Sequence, residues 1–178
     1  MALAEKYIPY YTYDDWLHWE GRWELIEGIA IAMSPMPIPE HQRVAGNMLF
    51  EFKQALKGKC NTCIAYLPID YKVSDDTIVQ PDLLITCKEI EKKYLDFPPS
   101  LVVEILSPST TLKDRNTKYQ IYEQQGVKYY LIVDVNQKRM EIYQLINGKY
   151  ELQQYMNEFE FQLEENCILS PQLDDVWE

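Results

Sequence analysis

Asp82, Glu104 and Lys118 are the residues whose types and spacing could do chemistry. Each carboxylate interrupts an otherwise apolar strand, Ile78-Val79-Gln80-Pro81-Asp82-Leu83-Leu84-Ile85 and Leu101-Val102-Val103-Glu104-Ile105-Leu106, and the lysine follows on the next helical segment. A charge on an apolar strand is costly unless a cation, a proton or a donor offsets it. Phosphodiester hydrolysis needs a hard cation to offset charge on the phosphoryl oxygens and to lower the pKa of an attacking water. Magnesium takes oxygen ligands, commonly one or two carboxylates with waters and substrate oxygens. Asp82 and Glu104 therefore suffice as metal ligands if they share a face, and the backbone carbonyl of Ile105 could add a third. Two carboxylates about 4 Å apart repel by roughly 4 kcal/mol at an effective dielectric near 20, so such a site should take up a cation or a proton. Lys118 could reach back over the strand ends to orient the water or stabilise the transition state, with Tyr122 one turn later on the same face.

Each of these residues also has a bland explanation. Asp114 and Lys118 are four apart in the orientation that favours a surface pair, Arg22 or Arg43 could neutralise Glu104 in the core, and Asp82 could close a turn after proline. Alternation sets Glu24 opposite Trp23 and Leu25, where a strand residue is ordinarily solvated. His41, at the start of a long helix, could meet the same cleft or lie on the surface.

The elements that would position these groups follow from periodicity and turn residues. Thr12 and Asp15 have capping-box spacing for a short helix ending near Gly21, and a hairpin of residues 22–26 and 29–33 turns at Glu27-Gly28. Residues 34–39 form an irregular, proline-rich connector. Apolar positions Val44, Met48, Leu49, Phe52, Ala55 and Leu56 predict a helix over 40–57, stopped by Gly58. Strands are expected at 64–73, 77–86 and 101–106, with a loop over 87–100; Asp82 should sit where its strand bends or meets an edge, because a central ladder position rejects Pro81. Thr111 and Asp114 have capping-box spacing before a helix ending at Gly126. A strand follows over 129–134, then a hairpin of 139–145 and 149–154 across Asn147-Gly148, and a tail with strand-like fragments. The order from residue 40 onward predicts a mixed α/β (α+β) sheet packed between helices, with an N-terminal helix-hairpin and a C-terminal hairpin extension, all in one domain over 1–178.

A formal net charge of -11 excludes an overall basic surface for gripping nucleic acid, so any contact with DNA must be local. A catalytic carboxylate cluster is acidic in any case, and its metal reverses the local field. No run is long and apolar enough to cross a bilayer, and Met1 to Tyr11 lacks the basic start and apolar centre of a secretory signal, so the expectation is a cytoplasmic protein. Cys60, Cys63, Cys87 and Cys167 read as unpaired reduced thiols; a single Cys-x-x-Cys without a second pair or a nearby histidine is a weak zinc signal.

With these residues in view, the chain resembles the Uma2 family of restriction-endonuclease-like proteins, within the PD-(D/E)xK nuclease superfamily. The resemblance covers most of the chain. It rests on Trp23-Glu24-Leu25-Ile26-Glu27-Gly28 leading to Met33-Ser34-Pro35, on His41-Gln42, on Val79-Gln80-Pro81-Asp82-Leu83, on residues 102–110, on Asp114 with Lys118 and Tyr122, and on Gly126-Val127 before 129–134. The resemblance implies a restriction-endonuclease-like αβββαβ core, Mg- or Mn-dependent cleavage of DNA, and a homodimer. It makes Asp82 and Glu104 the metal carboxylates and Glu24 an additional acid, with His41, Gln80 and Tyr122 in support. The superfamily usually carries its lysine two residues after the second acid. Here that position is Leu106, so Lys118 would be its replacement from the helix. A catalytically inactive dimeric interaction or nucleic-acid-binding protein, consistent with the acidic balance and fourteen tyrosines, and a nuclease acting on RNA stay open as alternatives.

Overall fold

The structure, a computed structural model, describes residues 8–33 and 37–178. The Met1–Tyr11 reading and the 34–39 connector therefore fall partly outside the described residues. Helix α1 (Tyr13–Trp16) opens on the expected cap: the Thr12 N–H and hydroxyl both donate to the Asp15 carboxylate, at 2.8 and 3.1 Å. It stops well ahead of Gly21, because the chain turns back and the Trp16 indole N–H donates to the carbonyl of Trp23 at 2.9 Å. Strands β1 (Trp23–Ile26) and β2 (Ile29–Ala32) pair across Glu27 and Gly28, whose φ of 50° and 77° match the right-handed twist of a tight hairpin.

Helix α2 (Pro39–Leu56) agrees with its expected span within a residue at each end. It starts on a proline, whose missing N–H costs nothing there, and buries Val44, Met48, Phe52 and Leu56 on one face.

The two long strands expected next each break in two. The first gives β3 (Ile64–Tyr66) and β4 (Tyr71–Ser74), and the second gives β5 (Thr77–Val79) and β6 (Leu83–Thr86). Pro68 and Pro81 lie at the breaks. Lacking an N–H to donate, each ends its ladder, and the chain crosses from one sheet to another. Asp82 thus occupies a crossover between sheets, as its proline foreshadowed.

Strands β7 (Leu101–Ile105), β8 (Tyr129–Asp134), β9 (Arg139–Ile146) and β10 (Lys149–Gln153) complete a six-stranded sheet of order β10-β9-β8-β7-β6-β3, in which only β7 and β8 run parallel. The second sheet has the order β2-β1-β5-β4, and β11 (Phe161–Glu164) pairs with β12 (Cys167–Leu169) as the C-terminal hairpin, distinct from the β9–β10 extension that precedes it. Between β7 and β8 the chain forms wide π-helical turns over Lys113–Lys118 and continues as α3 (Tyr119–Gln125), ending at Gly126 with φ of 77°. Helix α2, then β3, β6 and β7, then α3 and β8, is the expected αβββαβ order. The capping box expected at Thr111 and Asp114 does not form. The Thr111 hydroxyl instead donates to the carbonyl of Ser107 at 2.7 Å, and Asp114 is carried into the interior.

Period-two alternation divides the central strands between two cores. Leu83, Ile85, Leu101, Val103, Leu131 and Val133 pack with α2 and the C-terminal hairpin; Leu84, Val102, Tyr130 and Ile132 pack with Tyr122 of α3. Glu104, two residues after Val102, is thereby aimed at α3. The cysteines are not free thiols: Cys60 is bonded to Cys167 and Cys63 to Cys87. The first bond spans a sequence separation of 107, a proximity created by packing of the C-terminal hairpin and invisible to spacing rules. Among the described residues no helix is long and apolar enough to cross a membrane.

Candidate active site

A cleft of about 970 Å³ opens where the hairpin of β1 and β2, the start of α2, the crossover at Asp82, the end of β7 and the π-helical turns meet. Asp82, Glu104 and Lys118 all line it. Asp82 is fixed by the chain that follows Glu104: its Oδ2 accepts from the Ile105 N–H at 2.7 Å and lies 3.3 Å from Nε2 of His41. His41 is buried, not on the surface, and its Nδ1 has no hydrogen-bond partner among the described residues.

Lys118 is enclosed by acids. Its Nζ lies 2.7 Å from Glu24 Oε1, 2.8 Å from Glu104 Oε1 and 3.8 Å from Asp114 Oδ1, with the residue only 2% exposed. The Tyr122 hydroxyl donates to the same Glu104 oxygen at 2.7 Å. Glu24 is fully buried, which replaces its expected solvated position; Lys113 Nζ holds its Oε2, and the Gln80 N–H donates to Oε1 at 2.9 Å. Gln80 is itself clamped, accepting from Arg22 and donating to Asp70 at 2.8 Å. Neither suggested arginine pairs with Glu104: Arg22 goes to Gln80, and Arg43 donates to the carbonyl of Trp177 at 3.3 Å. The surface pair suggested for Asp114 and Lys118 is a buried one.

All of the side chains singled out in the sequence, Glu24, His41, Gln80, Asp82, Glu104, Lys118 and Tyr122, are thus brought to one cleft or its supporting layer. Lys113, the second cation on Glu24, was missed, and the contact of Arg22 with Gln80 was not foreseen. A signal for burial existed in Asp114, Lys118 and Tyr122, which recur every fourth residue and so share one face of a helix.

Four carboxylates, Glu24, Asp82, Glu104 and Asp114, confront two ammonium groups. Burial, reinforced by Asp114, Asp82 and Glu24, raises the proton affinity of Glu104 well above the usual carboxylate range despite Lys118. Burial likewise raises Asp114, against Lys118. For Glu24 burial acts in the same direction, but Lys118 and Lys113 outweigh it and hold the group low. Burial alone would lower Lys118, yet Glu104, Glu24 and Asp114 keep it raised and charged. A divalent cation would balance this excess. The oxygen donors of Asp82 and Glu104 suit a hard ion, and the buried Oδ1 of Asp114 has no hydrogen-bond partner among the described residues, so the residues present fit magnesium or manganese.

These shifts carry a sign. Glu104 and Asp114 bind protons more tightly folded than unfolded, so they favour the metal-free fold at acid pH and lose that contribution as pH rises above the ordinary carboxylate range. Glu24, held low, contributes above that range and loses its contribution as pH falls. Thermal unfolding in EDTA should therefore show Tm falling from mildly acidic to neutral pH, with the fall reduced in Glu104→Gln. A Tm that rises steadily through neutrality would contradict the assignment of a raised Glu104.

Over residues 10–177 the chain matches the Uma2 family, described as "Putative restriction endonuclease". An uncharacterized protein of Synechocystis sp. is 29% identical over 144 residues, covering 76% of this chain and 75% of that protein. A crystal structure of a "putative nuclease belonging to DUF820" from Anabaena variabilis superposes with a TM-score of 0.72 at 18% identity, covering 93% of this chain and 97% of the other. That likeness establishes the restriction-endonuclease-like fold. With the match running almost end to end, this chain belongs to the Uma2 family.

Proposed function

We propose that the chain, as a single endonuclease-like domain over 1–178, is a Mg- or Mn-dependent endonuclease that hydrolyses phosphodiester bonds of DNA. One observation carries this reading: a buried ammonium group fixed between Glu24 and Glu104 in a cleft that Asp82 also lines. Asp82 and Glu104, with the backbone carbonyl of Ile105, would hold the metal, which supplies charge neutralisation at the phosphate and a more acidic water. Lys118 stays protonated, so it acts as a fixed positive charge beside the phosphoryl oxygens and does not serve as a base. Glu24 and Tyr122 are positioning residues, the first for the lysine and the second for Glu104. His41 and Gln80 support Asp82 and Glu24 in turn. The family resemblance alone supports a homodimer.

Purified protein incubated with single- and double-stranded DNA in Mg or Mn is expected to cleave at least one of them. Absence of cleavage under every condition would defeat the reading. A specific observation favours one competitor, a catalytically inactive interaction protein: Lys118 is already fully engaged by carboxylates, an arrangement that could simply hold the fold together. Calorimetry separates the two, since an inactive binding module should take up no divalent metal at this cleft and should be indifferent to neutralisation of Glu104.

A further inference from the structure

A second cluster of chemically capable side chains lies away from the cleft. Cys60 follows the C-terminal end of α2, Cys63 begins the approach to β3, Cys87 follows β6 and Cys167 starts β12. His41, beside Asp82, is near the opposite end of α2, about 22 Å away along the helix axis at 1.5 Å per residue. Among the described residues, the groups of three metal-ligating atoms lying within 4.8 Å of one another are found here: Cys60, Cys63 and Cys167 form one, and Cys63, Cys87 and Glu164 another. Cys60, Cys63 and Cys167 are buried and Cys87 is half-buried.

The two disulfides are not independent. Sγ of Cys63 lies 3.6 Å from Sγ of Cys167, the sulfur of the other pair, so the four sulfurs form one connected set in which Cys63 joins Cys87 to Cys60 and Cys167. Four thiolates bound tetrahedrally to zinc at about 2.3 Å place neighbouring sulfurs about 3.8 Å apart. The Cys63–Cys167 contact, at 3.6 Å, is already close to that edge length. Cys60 and Cys63 have the Cys-x-x-Cys spacing of a zinc knuckle, and the fold supplies the missing second pair from Cys87 and Cys167. Where thiols are kept reduced, a buried four-cysteine cluster more often holds metal than disulfides.

We propose that in the reduced chain Cys60, Cys63, Cys87 and Cys167 are the four ligands of a structural zinc ion that ties the C-terminal hairpin to the end of α2 and to the edge of the central sheet. Two equivalents of a dithiol break both S–S bonds, and the four cysteine S–H groups form as each dithiol is oxidised to its own disulfide. Zinc binding then makes four Zn–S bonds and releases four protons. The hairpin is thus clamped in either state, through zinc when reduced and through the Cys60–Cys167 bond when oxidised.

Cobalt(II) tests this without recourse to enzymatic activity. Protein reduced under anaerobic conditions and cleared of metal should show four thiols reactive toward a disulfide reagent. It should then bind one cobalt per chain with thiolate-to-metal charge-transfer absorption and the intense visible bands of a tetrahedral ion, and zinc should displace the cobalt and protect all four thiols. The Asp82→Asn/Glu104→Gln double variant should bind cobalt with the same spectrum, and Cys63→Ser should lose the charge-transfer bands or weaken them severely. Four reactive thiols with no stoichiometric cobalt, cobalt bound without thiolate bands, or bands that vanish in the acid double variant would each overturn the proposal. Because the wild-type spectrum and thiol count need no variant, misfolding of Cys63→Ser would leave the test intact.

Discussion

Replacing Lys118 with methionine is expected to destabilise the folded chain by about 3–5 kcal/mol, among the largest losses a single substitution here could cause. The methionine matches the lysine stem in volume, so the loss isolates the ammonium group. Removing it strands Glu24, which is fully buried, with Lys113 as its one counter-charge among the described residues, and leaves Glu104 the hydrogen bond from the Tyr122 hydroxyl. A buried carboxylate deprived of its cation must stay charged at great cost or take up a proton. Urea unfolding at neutral pH measures the loss, and at acid pH the deficit should shrink as Glu104 and Glu24 become protonated. A change below about 1 kcal/mol, the range of an exposed pair, would show that Lys118 is not the counter-ion the geometry makes it.

Glu104→Gln should do the reverse: abolish chemistry and spare the fold. If Glu104 holds the metal as proposed, its loss should reduce cleavage by about a hundredfold or more, since even residues that only orient metal ligands cost 10–100-fold. Stability at neutral pH should change by no more than about 1 kcal/mol or should rise, because the carboxylate removed is one whose charged form burial disfavours. Lys118 retains Glu24 at 2.7 Å, and the glutamine oxygen can still accept from Tyr122. Asp82→Asn should behave similarly, its amide oxygen still accepting the Ile105 N–H. Cleavage assays read beside urea unfolding separate function from folding. Wild-type cleavage in both variants would place the reacting centre elsewhere, whereas loss of cleavage together with collapse of stability would make these acids structural.

The local elements were legible in the sequence wherever the backbone itself decides: positive φ at Glu27-Gly28 and Asn147-Gly148, apolar spacing along α2, and prolines that end ladders. The αβββαβ order and the convergence of Asp82, Glu104 and Lys118 followed from the same pattern, because a continuous apolar strand must be covered on both faces and its single acid needs a partner. Charge partners were harder. Which acid meets which cation depends on how far separated segments pack, so Glu24, read as solvated, is completely buried beneath Lys113 and Lys118, and the supposed arginine partners of Glu104 point elsewhere. The cysteines show the limit most clearly. Cys60 and Cys63 are neighbours by sequence, but only the return of the C-terminal hairpin to α2 brings Cys167 against them, and only strand pairing brings in Cys87. Periodicity is a local property of the chain and survives in any fold that respects it; proximity between distant residues is created by packing, and there the tertiary structure alone decided.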